Sequence, residues 1–215
     1  MKSIIKNSFI PNILIVIGLV LFSCKNSINN DLKNGDLLFV TANSTGLSGA
    51  INDVTQKSER AAFDHIGILK KEGKTQYILH AAPKGGSQKQ KLEDFMFQQK
   101  AEGQKIVVYR LKSAYQKNIA KALQNAESML GKPYNFNYIL DDNSYYCSDF
   151  IERAFREFGV FTLEPMTFKD PKTGITNNFW AKFYKEKNLA VPEGELGCNP
   201  NGLASSENLL RIKEL

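Results

Sequence analysis

Hydrophobic and polar positions divide the chain into segments of different period. Ile13–Phe22 is an apolar run broken only by Gly18. Asp36 to Val40 reads as a strand, and Thr41 to Ala62 as a polar loop or short helix. Two short strand-like runs follow, His65–Lys70 and Thr75–His80, with Lys71-Glu72-Gly73-Lys74 between them as a hairpin turn. Ala81–Ser87 is a turn and Leu92–Phe97 a short helix. Ile106–Leu111, rich in β-branched residues, is the strongest strand signal. Asn118–Leu130 repeats its apolar residues at helical spacing, and Gly131 and Pro133 end it. A further amphipathic helix begins at Cys147, with Phe150, Ile151, Ala154, Phe155 and Phe158 on one face, Asn143 or Ser144 as its cap and Gly159 at its end. Beyond Gly159 the chain is loop-rich, with Pro165, Pro171 and Pro192 as breakers and Trp180 in a satellite cluster. No internal repeat is visible. The pattern predicts an α+β fold, an antiparallel sheet packed against helices.

Chemistry enters with Cys147. A cysteine at a helix N-terminus sits among unpaired N–H groups and the positive dipole end, which lowers a thiol pKa. The same position suits a small buried hydrophobe. The two histidines of the chain, His65 and His80, fall in the two strands of the hairpin. With Glu72-Gly73 as a two-residue loop, Lys71 faces Lys74 and His65 stands directly opposite His80 on one face. Nucleophile, base and orienting group are the three parts that thiol catalysis needs, and Cys147, His65 and His80 supply them in that order. The Cys147 backbone N–H is the natural first oxyanion donor. Tyr146 or Tyr145 is a candidate second donor through its phenol and equally suits a place in the core. Asp36 is a lesser candidate. Asp149 reads as a first-turn residue complementing the helix dipole.

The amino end changes the picture of location. Met1-Lys2 and Lys6 form a basic head, the apolar run is shorter than the roughly 20 residues of a membrane span, and it ends in Leu21-Phe22-Ser23-Cys24. This resembles a bacterial lipobox with Cys24 as the lipidated residue, which predicts a leader over 1–23, a polar, Asn-rich tether over 24–33 and one domain over 34–215. Without Met1–Ser23 the chain keeps 26 basic and 22 acidic residues, a net of +4. That mild, dispersed charge gives no reason to expect nucleic acid as a partner. Cys198, in a Gly/Asn/Pro-rich loop, reads as a free thiol. No Cys or His spacing suggests a metal, and no cofactor is expected.

Four motifs in order, Gly35-Asp36-Leu37-Leu38-Phe39, Asp64-His65-Ile66-Gly67-Ile68, Gly131-Lys132-Pro133-Tyr134 and Tyr146-Cys147-Ser148-Asp149, resemble the permuted papain-like NlpC/P60 superfamily. Within it the chain is most similar to the YiiX/YebB-like (YaeF/YiiX) branch. The resemblance covers about Asn34 to Phe158, with a weaker echo over Gly197–Ser205. It implies a circularly permuted papain-like fold and a cysteine amidase or peptidase, with Cys147 as nucleophile, His65 as base and His80 in the third, polar position. With the amino-terminal anchor it implies a membrane-attached enzyme of the bacterial cell envelope. Its expected substrate is an amide in a peptidoglycan stem peptide. The alternatives are a lipid-type amide or ester, handled by an acyl hydrolase or acyltransferase, and a binding lipoprotein without turnover.

Overall fold

Leu37, Leu38, Phe39 and Val40 are all fully buried, so the first strand is apolar on both faces and belongs at the centre of a sheet. In the computed structural model, which describes residues 31–55 and 62–215, the elements run in this order: β1 (Leu37–Thr41), α1 (Gly46–Thr55), β2 (Phe63–Glu72), β3 (Thr75–Ala82), β4 (Gly86–Lys91), α2 (Leu92–Ala101), β5 (Ile106–Leu111), α3 (Ser113–Gln116), α4 (Ile119–Ser128), α5 (Cys147–Phe155), β6 (Glu164–Pro165), α6 (Asn178–Glu186), β7 (Leu196–Gly197), α7 (Pro200–Ala204) and β8 (Leu209–Glu214). The main sheet has the order β4-β3-β2-β1-β5-β8. Every neighbouring pair in it is antiparallel. Cys24, the leader and residues 24–30 of the expected tether lie outside the described residues. The packed unit is Leu32–Leu215. Leu32 is 1% exposed and belongs to the core, because its side chain joins Leu38, Leu69 and Ile78.

The two faces of the sheet are covered differently. On one, Phe39, Ile66, Ile68 and Leu79 pack with Phe150, Ile151, Ala154 and Phe155 of α5. On the other, Leu38, Val40, Ile78 and Val108 pack with Leu92 and Phe95 of α2. The Phe150/Ile151/Ala154/Phe155 stripe is therefore the buried face expected from its period, and Gly159, with φ 60, closes the helical run.

Beyond Gly159, expected to be loop-rich, the chain forms α6 and the edge strand β8, which pairs with β5; two further features differ from the sequence expectation. The hairpin pairs Glu72 with Thr75, so the two-residue loop is Gly73-Lys74 rather than Glu72-Gly73. Gly73, with φ 58, occupies its first position, where a tight hairpin turn demands positive φ. This shift slides the register by two, so both histidines keep the same face but become diagonal neighbours. Continued past Ile68↔Leu79, the register sets Gly67 opposite His80. A Cβ on Gly67 would stand 2.4 Å from Ile78 Cγ2 and 3.2 Å from His80 Cβ, so glycine leaves the space that Ile78 fills beside His80. The second difference is β4. Its sequence, Gly-Ser-Gln-Lys-Gln-Lys, carries no apolar alternation, as suits a polar edge strand.

Candidate active site

Tyr146 is the N-cap of α5 in extended conformation, without a side-chain cap bond, and Cys147 is the first helical residue. Asn143 and Ser144 do not cap it. Both are held by Asp141 in the preceding loop, the Asn143 N–H donating to Oδ1 at 3.0 Å and the Ser144 hydroxyl to Oδ2 at 2.7 Å. The loop is in turn held by Arg153, which bonds both Asp142 and the buried Asp149. Asp149 is thus an ion-pair partner of Arg153; burial pushes its carboxyl up to about 6 against the pull of that arginine.

The thiol meets β2 where the β2–β3 ladder stops. Leu69 exchanges its backbone hydrogen bonds with Gly35 and Asp36, toward β1. Backbone polarity alternates along a strand, so the Ile66 N–H and the Asp64 C=O point toward β3. The pairing with β3 ends at Ile68↔Leu79. Cys147 fills the gap beyond, donating its S–H to the Asp64 carbonyl at 3.7 Å. It therefore touches the strand at residues next to His65, whose ring lies on the other, α2 face of the sheet, and thiol and imidazole are not in contact. Cys147 is 3% exposed, and burial pushes its thiol up to about 12. The Asp64 charge adds to that rise, while the N–H groups of Ser148, Ile66 and Cys147 act against it. The low-pKa thiol expected from the helix N-terminus is corrected here: desolvation outweighs the dipole, and the resting sulfur is a protonated thiol.

The two imidazoles are joined directly. His65 Nε2 and His80 Nδ1 are 2.8 Å apart. Both rings lie on the α2 face of the sheet with Phe95, whose ring centroid is 6.1 Å from that of His65 and 5.3 Å from that of His80. Burial is the main cause holding His65 well below its ordinary pKa, and the neighbouring His80 adds to it. Burial brings His80 down to about 4, so both rings are neutral near pH 7. A base charged only with difficulty in the folded state keeps its full contribution to stability above its unfolded pKa near 6.5 and loses it as pH falls through 4. The expected size for His80, which is 3% exposed, is as much as about 3 kcal/mol. Asp64 and Asp149, both pushed up to about 6, act with the opposite sign. The readout is therefore the difference between wild type and His80→Leu: urea midpoints measured from pH 7 to pH 4 should fall less steeply in the variant.

The other sequence candidates separate. The Tyr146 hydroxyl accepts the Cys198 N–H at 3.3 Å and the Ser148 hydroxyl donates to the Cys198 carbonyl at 3.1 Å, so the residues on either side of Cys147 clasp Cys198. Cys198 is a buried free thiol. Tyr145 is corrected as a second donor: its hydroxyl donates to the Asp142 carbonyl at 2.9 Å. Asp36 is corrected too. It is fully buried and bound by Arg110 through two bonds of 2.7 Å.

The residue that sequence reasoning passed over is Tyr134. Its phenol lies against the Cys147 thiol with the Tyr138 phenol beside it; burial foremost, and both neighbours with it, push it well above its ordinary pKa, so it remains a proton donor. The signal was in the Gly131-Lys132-Pro133-Tyr134 motif. Ser87 clasps that segment, donating its N–H to the Lys132 carbonyl at 2.9 Å and accepting the Lys132 N–H on its hydroxyl at 2.9 Å. A Cβ on Gly86 would stand 2.1 Å from the Lys132 oxygen, so only glycine permits the approach.

Cys147 also lines a cavity of about 480 Å³, together with Ile51, Phe161, Met166, Phe168 and Trp180. Among the described residues, the charged ones in its wall are Glu164 and Glu207, both acidic. Among the described residues no three His, Cys, Asp or Glu side chains converge as metal ligands. No described helix is long and apolar enough to cross a membrane.

The family model described as permuted papain-like amidase enzyme, YaeF/YiiX, C92 family, matches residues 31–213. Among solved structures, the crystal structure of the metalloprotein yiiX from Escherichia coli O157:H7 superposes with a TM-score of 0.67 at 22% sequence identity, covering 85% of this chain and 97% of that one. No curated protein matches.

Proposed function

The chain belongs to the permuted papain-like amidase family YaeF/YiiX, C92, and from that membership we propose that it is a cell-envelope cysteine amidase working through Cys147, His65 and His80. The observation that carries the reading is the His65–His80 contact of 2.8 Å on the strand whose neighbouring backbone holds the Cys147 thiol. Because thiol and imidazole both rest neutral, proton transfer accompanies attack instead of preceding it. Sγ moves from the Asp64 carbonyl to the substrate carbonyl carbon, and its proton passes to His65 as closure on the substrate brings thiol and imidazole together. The oxyanion is met by the Cys147 backbone N–H and the Tyr134 hydroxyl. His65 returns the proton to the departing amine and a thioester remains. Water, deprotonated by His65, then releases the acid and restores the thiol.

The first substrate class is the peptidoglycan stem peptide, suited to a protein attached to the envelope through lipidated Cys24. A second class, a lipid-type amide or ester, is suited to the apolar side chains Ile51, Phe161, Met166, Phe168 and Trp180 in the cavity wall. Incubating the protein separately with peptidoglycan fragments and with membrane lipids, and following products and the Cys147 thioester adduct by mass spectrometry, distinguishes the two classes. Absence of both adduct and product would favour a binding lipoprotein instead. For the anchor, Cys24→Ala is expected to abolish lipid incorporation and membrane retention while the far-ultraviolet circular dichroism stays unchanged. Undiminished labelling by radioactive fatty acid in that variant would remove the lipoprotein reading.

A further inference from the structure

The pair of histidines poses a question of proton bookkeeping. Two neutral imidazoles carry one N–H each. One hydrogen lies between His65 Nε2 and His80 Nδ1. If His80 owns it, the proton of His65 sits on Nδ1 and that nitrogen cannot accept one. If His65 owns it, His65 Nδ1 is a free base and the proton of His80 sits on Nε2. The tautomer useful for catalysis therefore places an N–H on His80 Nε2, a buried atom with no partner within hydrogen-bond distance. A buried donor without an acceptor is costly, so something must favour this tautomer.

We infer that Gln90 is a positioning residue for the pair: its side-chain oxygen takes the Nε2 proton of His80 and thereby leaves His65 Nδ1 free. The inference rests on the proposed role of His65 as base. Three observations carry it. The β3–β4 register pairs His80 with Gln88 and Ile78 with Gln90, so all four side chains share the α2 face. Gln88, directly opposite His80, is turned away, its amide donating to the Lys84 carbonyl at 2.8 Å. Gln90 donates its amide nitrogen to Gln98 Oε1 of α2 at 3.4 Å, which turns its own oxygen into the acceptor left for His80. The side chain of Gln90 also favours the charged form of His80. The remaining neighbour on that side is the apolar ring of Phe95.

Because the chain contains only two histidines, long-range nitrogen–proton NMR of the imidazoles reads both tautomers without assignment ambiguity. In the full chain, both rings are expected as Nε2–H tautomers at pH 7. Gln90→Leu should bring in the Nδ1–H form of His80. Gln90→Glu should hold the Nε2–H form and raise the imidazole titration midpoint by about one unit, since a facing carboxylate favours imidazolium. The acid limb of turnover should move upward with it, and Gln90→Leu should lower turnover about tenfold with the fold intact. A wild-type His80 in the Nδ1–H form, or spectra unchanged by both substitutions, overturns the inference. Cys147→Ala separates this failure from failure of the catalytic reading: if it removes turnover while the Gln90 spectra stay unchanged, the nucleophile stands and Gln90 is only an edge-strand residue. If Cys147→Ala leaves turnover intact, the proposed reading itself falls.

Discussion

Cys147→Ala is expected to remove turnover by roughly 10⁵-fold or more and to eliminate the thioester adduct, because no other described thiol is placed on β2 beside His65. Cys198, the second free thiol, has its backbone held by the Tyr146 and Ser148 hydroxyls. His65→Ala should cost nearly as much. The Cys147 thiol, pushed up to about 12, supplies almost no thiolate at pH 7 without a base to take its proton as attack proceeds. His80→Ala should cost less, about 100-fold, since His80 acts through His65. The double variant Cys147→Ala/His65→Ala should be no worse than the worse single one, because the two act as a unit. Stability should change little in Cys147→Ala, by about 1 kcal/mol for one buried sulfur. The raised thiol pKa adds a kinetic signature. Alkylation of Cys147 by iodoacetamide should be slow at mildly acidic pH and accelerate as pH rises, opposite to an enzyme resting as a thiolate–imidazolium pair. Fast labelling at pH 5 would contradict the neutral resting state.

Asp36→Ala is expected to produce the largest loss of stability, about 3–5 kcal/mol, with little effect on turnover per folded molecule. Asp36 is 0% exposed and accepts two bonds from Arg110 and one from the Lys33 N–H at 2.8 Å. Removing the carboxylate takes the two Asp36 bonds from a guanidinium only 17% exposed, and it frees the chain entry into β1. Replacing both partners together, Asp36→Leu with Arg110→Met, should recover much of the loss, because the penalty lies in the unpaired charge rather than in the absent pair. Urea denaturation of the three variants, with turnover measured on each, checks this. Turnover lost without loss of stability would return Asp36 to the catalytic set.

The sheet-and-helix plan was legible because its elements are strongly patterned. Leu37–Val40 is a continuous apolar run, Ile106–Leu111 is rich in β-branched residues, and the α5 stripe follows a single helical period. The polar strand β4 was not legible, since an edge strand with one solvated face needs no apolar alternation. Its absence from the sequence reading hid that Ser87 clasps the Lys132 segment and that Gln90 shares the α2 face with His80.

The sequence by itself determined that His65 and His80 share a face. Sliding the hairpin loop from Glu72-Gly73 to Gly73-Lys74 changes the register by two residues, and a strand's side-chain period is two, so the face survives the error. It also determined that Cys147 opens an amphipathic helix, because the apolar spacing after it admits one buried face. Tertiary structure alone decided the protonation states. The dipole at a helix N-terminus is a local property that sequence announces, but its effect is outweighed once long-range packing removes water from Cys147, His65 and His80. It alone decided which hydroxyl faces the sulfur as well. Tyr145 and Tyr146 are adjacent to Cys147 in the chain yet turn to Asp142 and Cys198. Tyr134, thirteen residues away, arrives because Ser87 of a distant strand holds its segment in place.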